Sequence, residues 1–376
     1  PTRRSSDLME GKYKLFRMTD RLTGGELAKT EIVDLREELK AGNRSIFSRR
    51  LQELLADRLE KGQQSMLFLN RRGYSGFVSC RSCGEAMKCP HCDVSLKYHR
   101  NGRLICHYCG YETVMVTHCP VCGSRYIGTF GAGTQKVEEE TGRLFPQASI
   151  LRMDLDTTRE KDSYEKILSA FANQEADILV GTQMIVKGHD FPNVTLVGIL
   201  AADISLFSGN YLAAERTFQL LTQAAGRAGR GKKQGNVVIQ TYSPDNYAVT
   251  LGASQDYESF YQHEMSYRQL LGYPPCMNML AILVASEQEP LLDESCRLMN
   301  QLIAQMMHVR SALIKIGPTR APIAKIQDKY RKIIYLKSPS YEDLTFVKDG
   351  IEKELNEHPD NRIQVTFDFS MNTGGY

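Results

Sequence analysis

Asp177-Ile-Leu-Val-Gly181-Thr-Gln-Met-Ile185-Val-Lys187-Gly-His-Asp190-Phe-Pro-Asn-Val194-Thr-Leu-Val-Gly-Ile-Leu200 is the stretch that sets the fold. Two short runs of Ile, Val and Leu, residues 177–181 and 194–200, flank a polar segment. Runs this apolar and this short read as strands covered on both faces, which is the habit of parallel sheets. Working outward, strands are predicted at 126–130, 149–153 and 236–241, and helices at 134–145, 161–174 and 211–225. Upstream, strands are predicted at 12–18, 31–35 and 65–70. A helix is predicted at 48–61, where Leu51, Leu54, Leu55 and Leu59 fall at helical spacing. The alternation predicts an α/β lobe: a parallel sheet with helices on both faces and ligand loops at its strand ends. One long helix is expected over 246–271, stopped by Gly272-Tyr-Pro-Pro275. Beyond it come a strand (279–285), a helix (291–307), strands (313–316 and 332–336), a helix (341–355) and a strand (362–369). That β-α-β-β-α-β order predicts a separate ferredoxin-like α+β domain.

The 376 residues are 42% hydrophobic and 24% charged, enough apolar material for two or three buried cores. A net charge of +3 gives no whole-chain basic signal, so any nucleic-acid contact must rest on local patches. The longest apolar stretch, 194–202, is too short to span a bilayer, and the first residues lack the apolar core of a secretory signal. No membrane role is expected, and a cytoplasmic location is. Eight of the ten cysteines fall in four Cys-x-x-Cys pairs, which in a reducing compartment reads as metal binding. Cys276 and Cys296 are expected to be core thiols. The chain opens without Met. Pro1-Thr-Arg-Arg-Ser-Ser-Asp-Leu8 matches the translation of a sequencing-adapter string, CCT ACA CGA CGC TCT TCC GAT CT; an expression scar or a natural loop are the alternatives. Residues 1–8 are set aside, and the chain is read as truncated upstream.

The cysteine spacing is Cys80-x2-Cys83-x5-Cys89-x2-Cys92-x13-Cys106-x2-Cys109-x9-Cys119-x2-Cys122. Eight thiolates suffice for two four-sulfur Zn²⁺ sites, closed to water and therefore structural. Asn101-Gly102 is a strong hairpin-turn signal. Such a hairpin would join Cys89, Cys92, Cys106 and Cys109 on one ion, leaving Cys80, Cys83, Cys119 and Cys122 for the other. A cross-braced pairing is the rival. His91, His107 and His118 read as solvated. Arg81, Lys97, Arg100 and Arg103 could touch nucleic acid, though the block could equally dock a protein.

Gln223-Ala-Ala-Gly226-Arg227-Ala-Gly229-Arg230 would set Gln223, Arg227 and Arg230 on one face if a helix persisted to its end. Two arginines aimed at one point suit a polyphosphate; the plain alternative is a basic helix end closed by glycine. Gly226 to Lys233 imitates a phosphate loop, but it lacks the Ser or Thr that would hold Mg²⁺ and sits after a helix instead of a strand. The 376 residues carry no genuine phosphate loop and no run of acidic residues after a strand. Thr182, Gln183, Lys187 and Asp190 fall on a strand-end loop, for which simple solvation is the alternative.

The order Asn70-Arg71-Arg72-Gly73-Tyr74, Gly181-Thr182-Gln183…Lys187-Gly188-His189-Asp190, Glu215…Gln223…Arg227…Arg230 resembles motifs IV, V and VI of superfamily 2 helicases. Eight cysteines inserted after the first of these are similar to the PriA family of replication-restart helicases. So is the later Phe260…Glu264…Arg268…Tyr273-Pro-Pro275, and the likeness runs from about residue 10 to the end. The resemblance implies a RecA-like helicase lobe with an inserted two-zinc ribbon and the C-terminal domain. Its implied segments are 9–78 (end of lobe 1 and start of lobe 2), 79–125 (zinc insertion), 126–275 (lobe 2) and 276–376. It implies a 3′→5′ DNA motor that uses ATP and Mg²⁺, recognises stalled forks and helps reload the replicative helicase. Its partners would be single-stranded and forked DNA, single-strand binding protein, and primosome and helicase-loading proteins, with the protein itself a monomer. By the same resemblance Arg227 and Arg230 reach the nucleotide with Gln223 nearby, and Gly188 and Asp190 border that cleft. Thr182, Gln183, Arg71 and Arg72 lie toward DNA, and the nested cysteine pairing agrees. Cys276 stands where the family has an aromatic, and 207–212 departs from the common Pro-Asp-Phe-Arg form. The competing readings are a zinc-ribbon nucleic-acid or protein binding module that hydrolyses nothing, and a translocase without strand separation. The retained paired arginines favour the motor.

Overall fold

The computed structural model describes residues 11, 14, 16, 28–69, 78–91, 94–99, 102–106, 109–129, 133–154, 157–158, 162–185, 190–207, 210–229 and 233–369. Residues 1–8, nearly all of the strand expected at 12–18, and the 70–74 motif lie outside them. The chain begins with β1 (Lys29–Asp34), α1 (Leu35–Lys40), α2 (Arg49–Glu60) and β2 (Gln64–Leu69). Five short strands follow: β3 (Val78–Cys80), β4 (Lys97–Tyr98), β5 (Arg103–Ile105), β6 (Glu112–Val114) and β7 (Ile127–Thr129). Next are α3 (Thr134–Leu144), β8 (Ile150–Met153), α4 (Ser163–Ala172), β9 (Ile178–Gly181), β10 (Val194–Leu200) and α5 (Asp203–Leu206). Then come α6 (Ala213–Ala225), β11 (Asn236–Thr241), α7 (Tyr247–Ser254) and α8 (Tyr257–Leu271). The last elements are β12 (Asn278–Ser286), α9 (Glu289–Val309), β13 (Ile314–Ile326), β14 (Lys329–Ser338), α10 (Tyr341–Glu357) and β15 (Ile363–Asp368).

Six strands form one sheet in the order β1-β11-β10-β2-β9-β8, with every neighbouring pair parallel. All seven residues of β10 and all six of β2 are buried, so both sheet faces are covered. Leu51 and Leu55 of α2, Val137 of α3, Phe171 of α4 and Leu221 of α6 join the sheet in one continuous core. Gly198 permits that fit: a Cβ there would come within 2.9 Å of Leu51 and of Leu67. Ser48 starts α2 by accepting from the Leu51 amide at 3.2 Å. β7 is not part of this sheet; it pairs antiparallel with β3 in a two-stranded stalk.

The helix expected over 246–271 is two helices. Gln255 turns into the left-handed region at φ 56°, and the Asp256 carboxylate caps α8 by accepting from the Ser259 amide at 3.0 Å. The C-terminal strands pair antiparallel in the order β13-β14-β12-β15, the ferredoxin-like arrangement. The β13–β14 hairpin runs far beyond the apolar segments that announced it, because its outer half is charged; Gln327 and Asp328, at φ 48° and 61°, turn it. Leu280, Ile282, Ile334 and Leu336 pack against Cys296, Ile303, Leu344 and Val347 of α9 and α10. The alternate residues Met279, Ala281, Ile333 and Tyr335 pack instead against Met87, Leu96, Leu104 and Cys106 of the cysteine block. That block is therefore a second cover for the C-terminal sheet. Cys296 is a core thiol as expected, but Cys276 is exposed, because it follows the Pro-Pro turn outside both cores. No described helix is long and apolar enough to cross a membrane.

Candidate functional site

Strand pairing gathers the cysteines. β3 against β7 sets Cys80 opposite Ile127, which brings the first and last Cys-x-x-Cys pairs together. β4 against β5 sets Lys97 opposite Ile105 and brings Cys89 to Cys106 and Cys109. Cys80, Cys83, Cys119 and Cys122 converge with all sulfurs within 4.8 Å of one another, as do Cys89, Cys106 and Cys109; Cys92 lies outside the described residues. Sulfurs stand 3.6 Å apart in Cys80–Cys122 and Cys83–Cys119, and 3.5 Å apart in Cys89–Cys109. A tetrahedral zinc with bonds of about 2.3 Å holds its sulfurs about 3.8 Å apart, so the donor set fits the ion. Three of the knuckles close alike: the amides of Gly84, Gly110 and Gly123 donate to the carbonyls of Cys80, Cys106 and Cys119. Those glycines sit at φ 80°, 80° and 70°, where a side chain would strain the turn. Burial pushes the Cys83 and Cys89 thiols up to about 12. Burial opposes ionisation of Cys80 as well, but backbone amides of Cys83 and Ser82 bring it down to about 7. Cys83 and Cys89 therefore stay protonated at neutral pH unless a cation displaces their protons, whereas Cys80 is the thiol most ready to ionise. Neither His118 nor His91 joins these groups: His118 hydrogen-bonds Thr117 and Arg125, and His91 meets the Tyr111 ring edge-on at 5.7 Å. His107 lies outside the described residues.

The outer knuckle rests on the C-terminal edge of the parallel sheet. Arg36 donates to the Cys83 carbonyl at 3.2 Å, and a Cβ on Gly84 would collide with the Tyr242 carbonyl just after β11. Thr182 and Gln183 leave β9 at this same edge, where the Thr182 amide reaches the Met153 carbonyl at 3.4 Å.

The arginine segment lies at the opposite edge. α6 ends at Ala225, as the prediction over 211–225 had it, with Gly226 as its cap; the helix does not reach Arg227, so the condition for a shared face with Gln223 is not met. Glycine density ends the helix there. Gln223 is exposed on the last turn, and half-buried Arg227 sits in the turn that follows. The Gly229 amide donates to the Val194 carbonyl at 3.0 Å, pinning this turn to the start of β10. Gly229 (φ 71°) and Gly235 approach so closely that a Cβ on Gly229 would lie 2.4 Å from the Gly235 nitrogen. Exposed Asp190 precedes the same strand start; the Val194 amide donates to the Phe191 carbonyl at 3.1 Å. A hollow of about 400 Å³ beside it is lined by Asp190, Phe191, Asn193, Gln64 and Gln174. Arg230, Gly188, Arg71 and Arg72 lie outside the described residues.

Sequence reasoning gave no role to Glu215, Glu264 and Arg268, which form a buried ion set. Arg268 meets Glu215 at 2.6 Å and Glu264 at 2.8 Å. Their helical spacing hides them: Glu264 and Arg268 read as an ordinary surface i,i+4 pair. The signal that could have found them is the apolar surroundings of Glu215 in α6. Asp203 was also missed. Fully buried, it accepts from the Tyr242 amide at 3.0 Å and from Thr241 Oγ1 at 3.0 Å.

A fully covered parallel sheet with a glycine-arginine turn at one edge and metal-type knuckles at the other defines a helicase lobe with a cysteine-rich insertion. Accordingly, residues 129–232 match the helicase conserved C-terminal domain. Residues 89–113 match the PriA DNA helicase Cys-rich region, and 269–370 the primosomal protein N C-terminal domain. The chain is 44% identical over 363 residues to replication restart protein PriA of Bacillus subtilis (strain 168), covering 96% of this chain and 45% of that protein. It is 43% identical over 329 residues to the same-named protein of Synechocystis sp., covering 86% and 39%. The chain belongs to the PriA family. It spans about half the length of the curated relatives it matches. Among solved structures, domain 2 of the Mss116p DEAD-box helicase bound to an RNA duplex is 12% identical, with a TM-score of 0.31, covering 75% of this chain and 76% of that one.

Proposed function

We propose that this chain is the arginine-bearing half of an ATP-dependent 3′→5′ DNA helicase that acts at stalled or branched forks in replication restart and primosome assembly. The observation that carries the proposal is the Gly229–Val194 hydrogen bond, which pins the Arg227 turn to the start of β10, the strand that Asp190 leads into. In this reading Arg227 and Arg230 bind the transferring phosphate, Gln223 orients it, and Gly188 and Asp190 line the cleft. A planar guanidinium can bind two phosphate oxygens at once and stabilise the charge that develops on them. ATP and Mg²⁺ would be held jointly with a phosphate-loop lobe, which supplies the metal-assisted part of the chemistry. Thr182 and Gln183, a strand length away at about 3.3 Å per residue, face DNA with Arg71 and Arg72. Family membership supports the DNA substrate, and single-strand binding protein and helicase-loading proteins as partners of a monomer. The cysteine sets take two structural Zn²⁺ per chain. DNA-stimulated ATP hydrolysis by a polypeptide joining this chain to its phosphate-loop lobe tests the reading. Turnover that requires both halves is expected; turnover indifferent to this half would overturn it.

A further inference from the structure

Arg268 heads the largest fully buried side chains among the described residues, at 1% exposure. Its guanidinium reaches several elements at once. It meets Glu215 in the first turn of α6 at 2.6 Å and Glu264 of α8 at 2.8 Å. It also donates to the Pro274 carbonyl at 2.9 Å and lies 5.4 Å from the centre of the Tyr211 ring. Tyr247 of α7 donates to the second Glu264 oxygen at 2.6 Å. The contacts continue into the C-terminal sheet. Tyr211 stacks on Tyr273 with centroids 4.8 Å apart and planes 5° apart, and Lys337 of β14 sits 3.9 Å over the Tyr273 ring. Lys337 also donates to the Leu271 carbonyl at 3.0 Å.

Buried ion sets are poor stabilisers, since well-packed apolar side chains of similar volume do as well or better. What such a set supplies is fixed direction: a planar fork accepts partners only along its own N–H bonds. Here the fork grips the start of α6, whose thirteen residues span about 20 Å at 1.5 Å per residue. The far end of the same helix runs into the Arg227 turn, pinned to Val194. We propose that Arg268 is a positioning residue: through Glu215 it fixes the axial position of α6, and so the placement of Arg227 against the nucleotide. The inference rests on the reading of that turn given above.

Steady-state ATP turnover by the complete protein carrying Arg268→Lys or Glu215→Gln tests it. Lysine keeps the charge but cannot reach both carboxylates and the Pro274 carbonyl; glutamine keeps the volume and one acceptor. Each variant is expected to lower kcat about ten-fold while KM for ATP moves less than about two-fold, because a misplaced arginine costs more in the transition state than in binding. Amide exchange at 226–229 should quicken in the same variants. A wild-type kcat in either folded variant overturns the proposal. So does a fall in kcat fully explained by the unfolded fraction, with exchange at 226–229 unchanged. Arg227→Ala, run alongside, keeps the two ideas apart: normal turnover there removes the nucleotide reading, whatever the other variants do.

Discussion

The amide of Gly229 donates to the carbonyl of Val194 at 3.0 Å, tying the turn after α6 to the first residue of β10. The close pass of Gly229 by Gly235 makes that tie possible, and both positions are intolerant of a side chain. Gly229→Ala should therefore force the turn away from the sheet. A positive φ adds strain of about 1–3 kcal/mol for a non-glycine residue. Urea melts should show a loss of that order, with reduced ATP turnover in the complete protein. Unchanged stability would show that the turn is looser than described.

Metal analysis should return two Zn²⁺ per chain, and mutating any one of the eight cysteines should weaken one site only. Chelation should melt the cysteine block. Because Cys106 and Leu104 share a core with Ile333 and Tyr335, it should also expose one face of the C-terminal sheet while sparing β9 and β10. Hydrogen exchange before and after chelation measures this. A single ion per chain, or protection in β14 that survives chelation intact, would count against it.

Much of this was legible in the sequence, and for a physical reason. The strands at 178–181 and 194–200 are apolar on both faces, so their runs announce a covered parallel sheet. Four Cys-x-x-Cys pairs with Asn101-Gly102 between the middle two point to two nested sets. What escaped notice depends on long-range contact. Nothing local reveals that Arg268 will be sealed against Glu215, fifty-three residues earlier, or that the cysteine block will cover Tyr335. The end of α6 at Ala225 was legible too, since glycine at 226 and 229 closes the helix predicted over 211–225; only the shared face of Gln223 and Arg227, which required the helix to run further, is not formed.

Asp203 should make stability depend on pH. Burial holds its carboxyl above the ordinary carboxylate range, against the hydrogen bonds from the Tyr242 amide and Thr241. A pKa raised on folding favours the folded state while the group is protonated, so this contribution is present at acid pH and lost as pH rises through the folded value. Asp203→Asn keeps an acceptor for Tyr242 and carries no charge. Relative to wild type it should gain stability on going from a pH below the ordinary carboxylate value of 3.8 to neutral pH. Denaturant melts at both pH values check this; a variant that loses ground toward higher pH would contradict it.

These 376 residues by themselves should not hydrolyse ATP, because they contain arginines suited to a phosphate but no phosphate loop. A pure preparation assayed with single-stranded DNA should stay at background. Robust DNA-stimulated turnover would mean that the nucleotide site is built some other way.

The central claim is that the turn after α6 serves the reacting phosphate, and the most direct test is steady-state ATP turnover by complete proteins carrying Arg227→Ala or Arg230→Ala, measured beside fork-binding affinity. An arginine that stabilises the transferring phosphoryl group contributes roughly 10³ to 10⁵ in rate and less to ground-state binding. Both variants should therefore lose turnover and unwinding while fork binding stays nearly intact, and lysine at either position should not restore them, lacking the planar fork. Near-normal turnover in either alanine variant would remove that arginine from the active site and contradict the account.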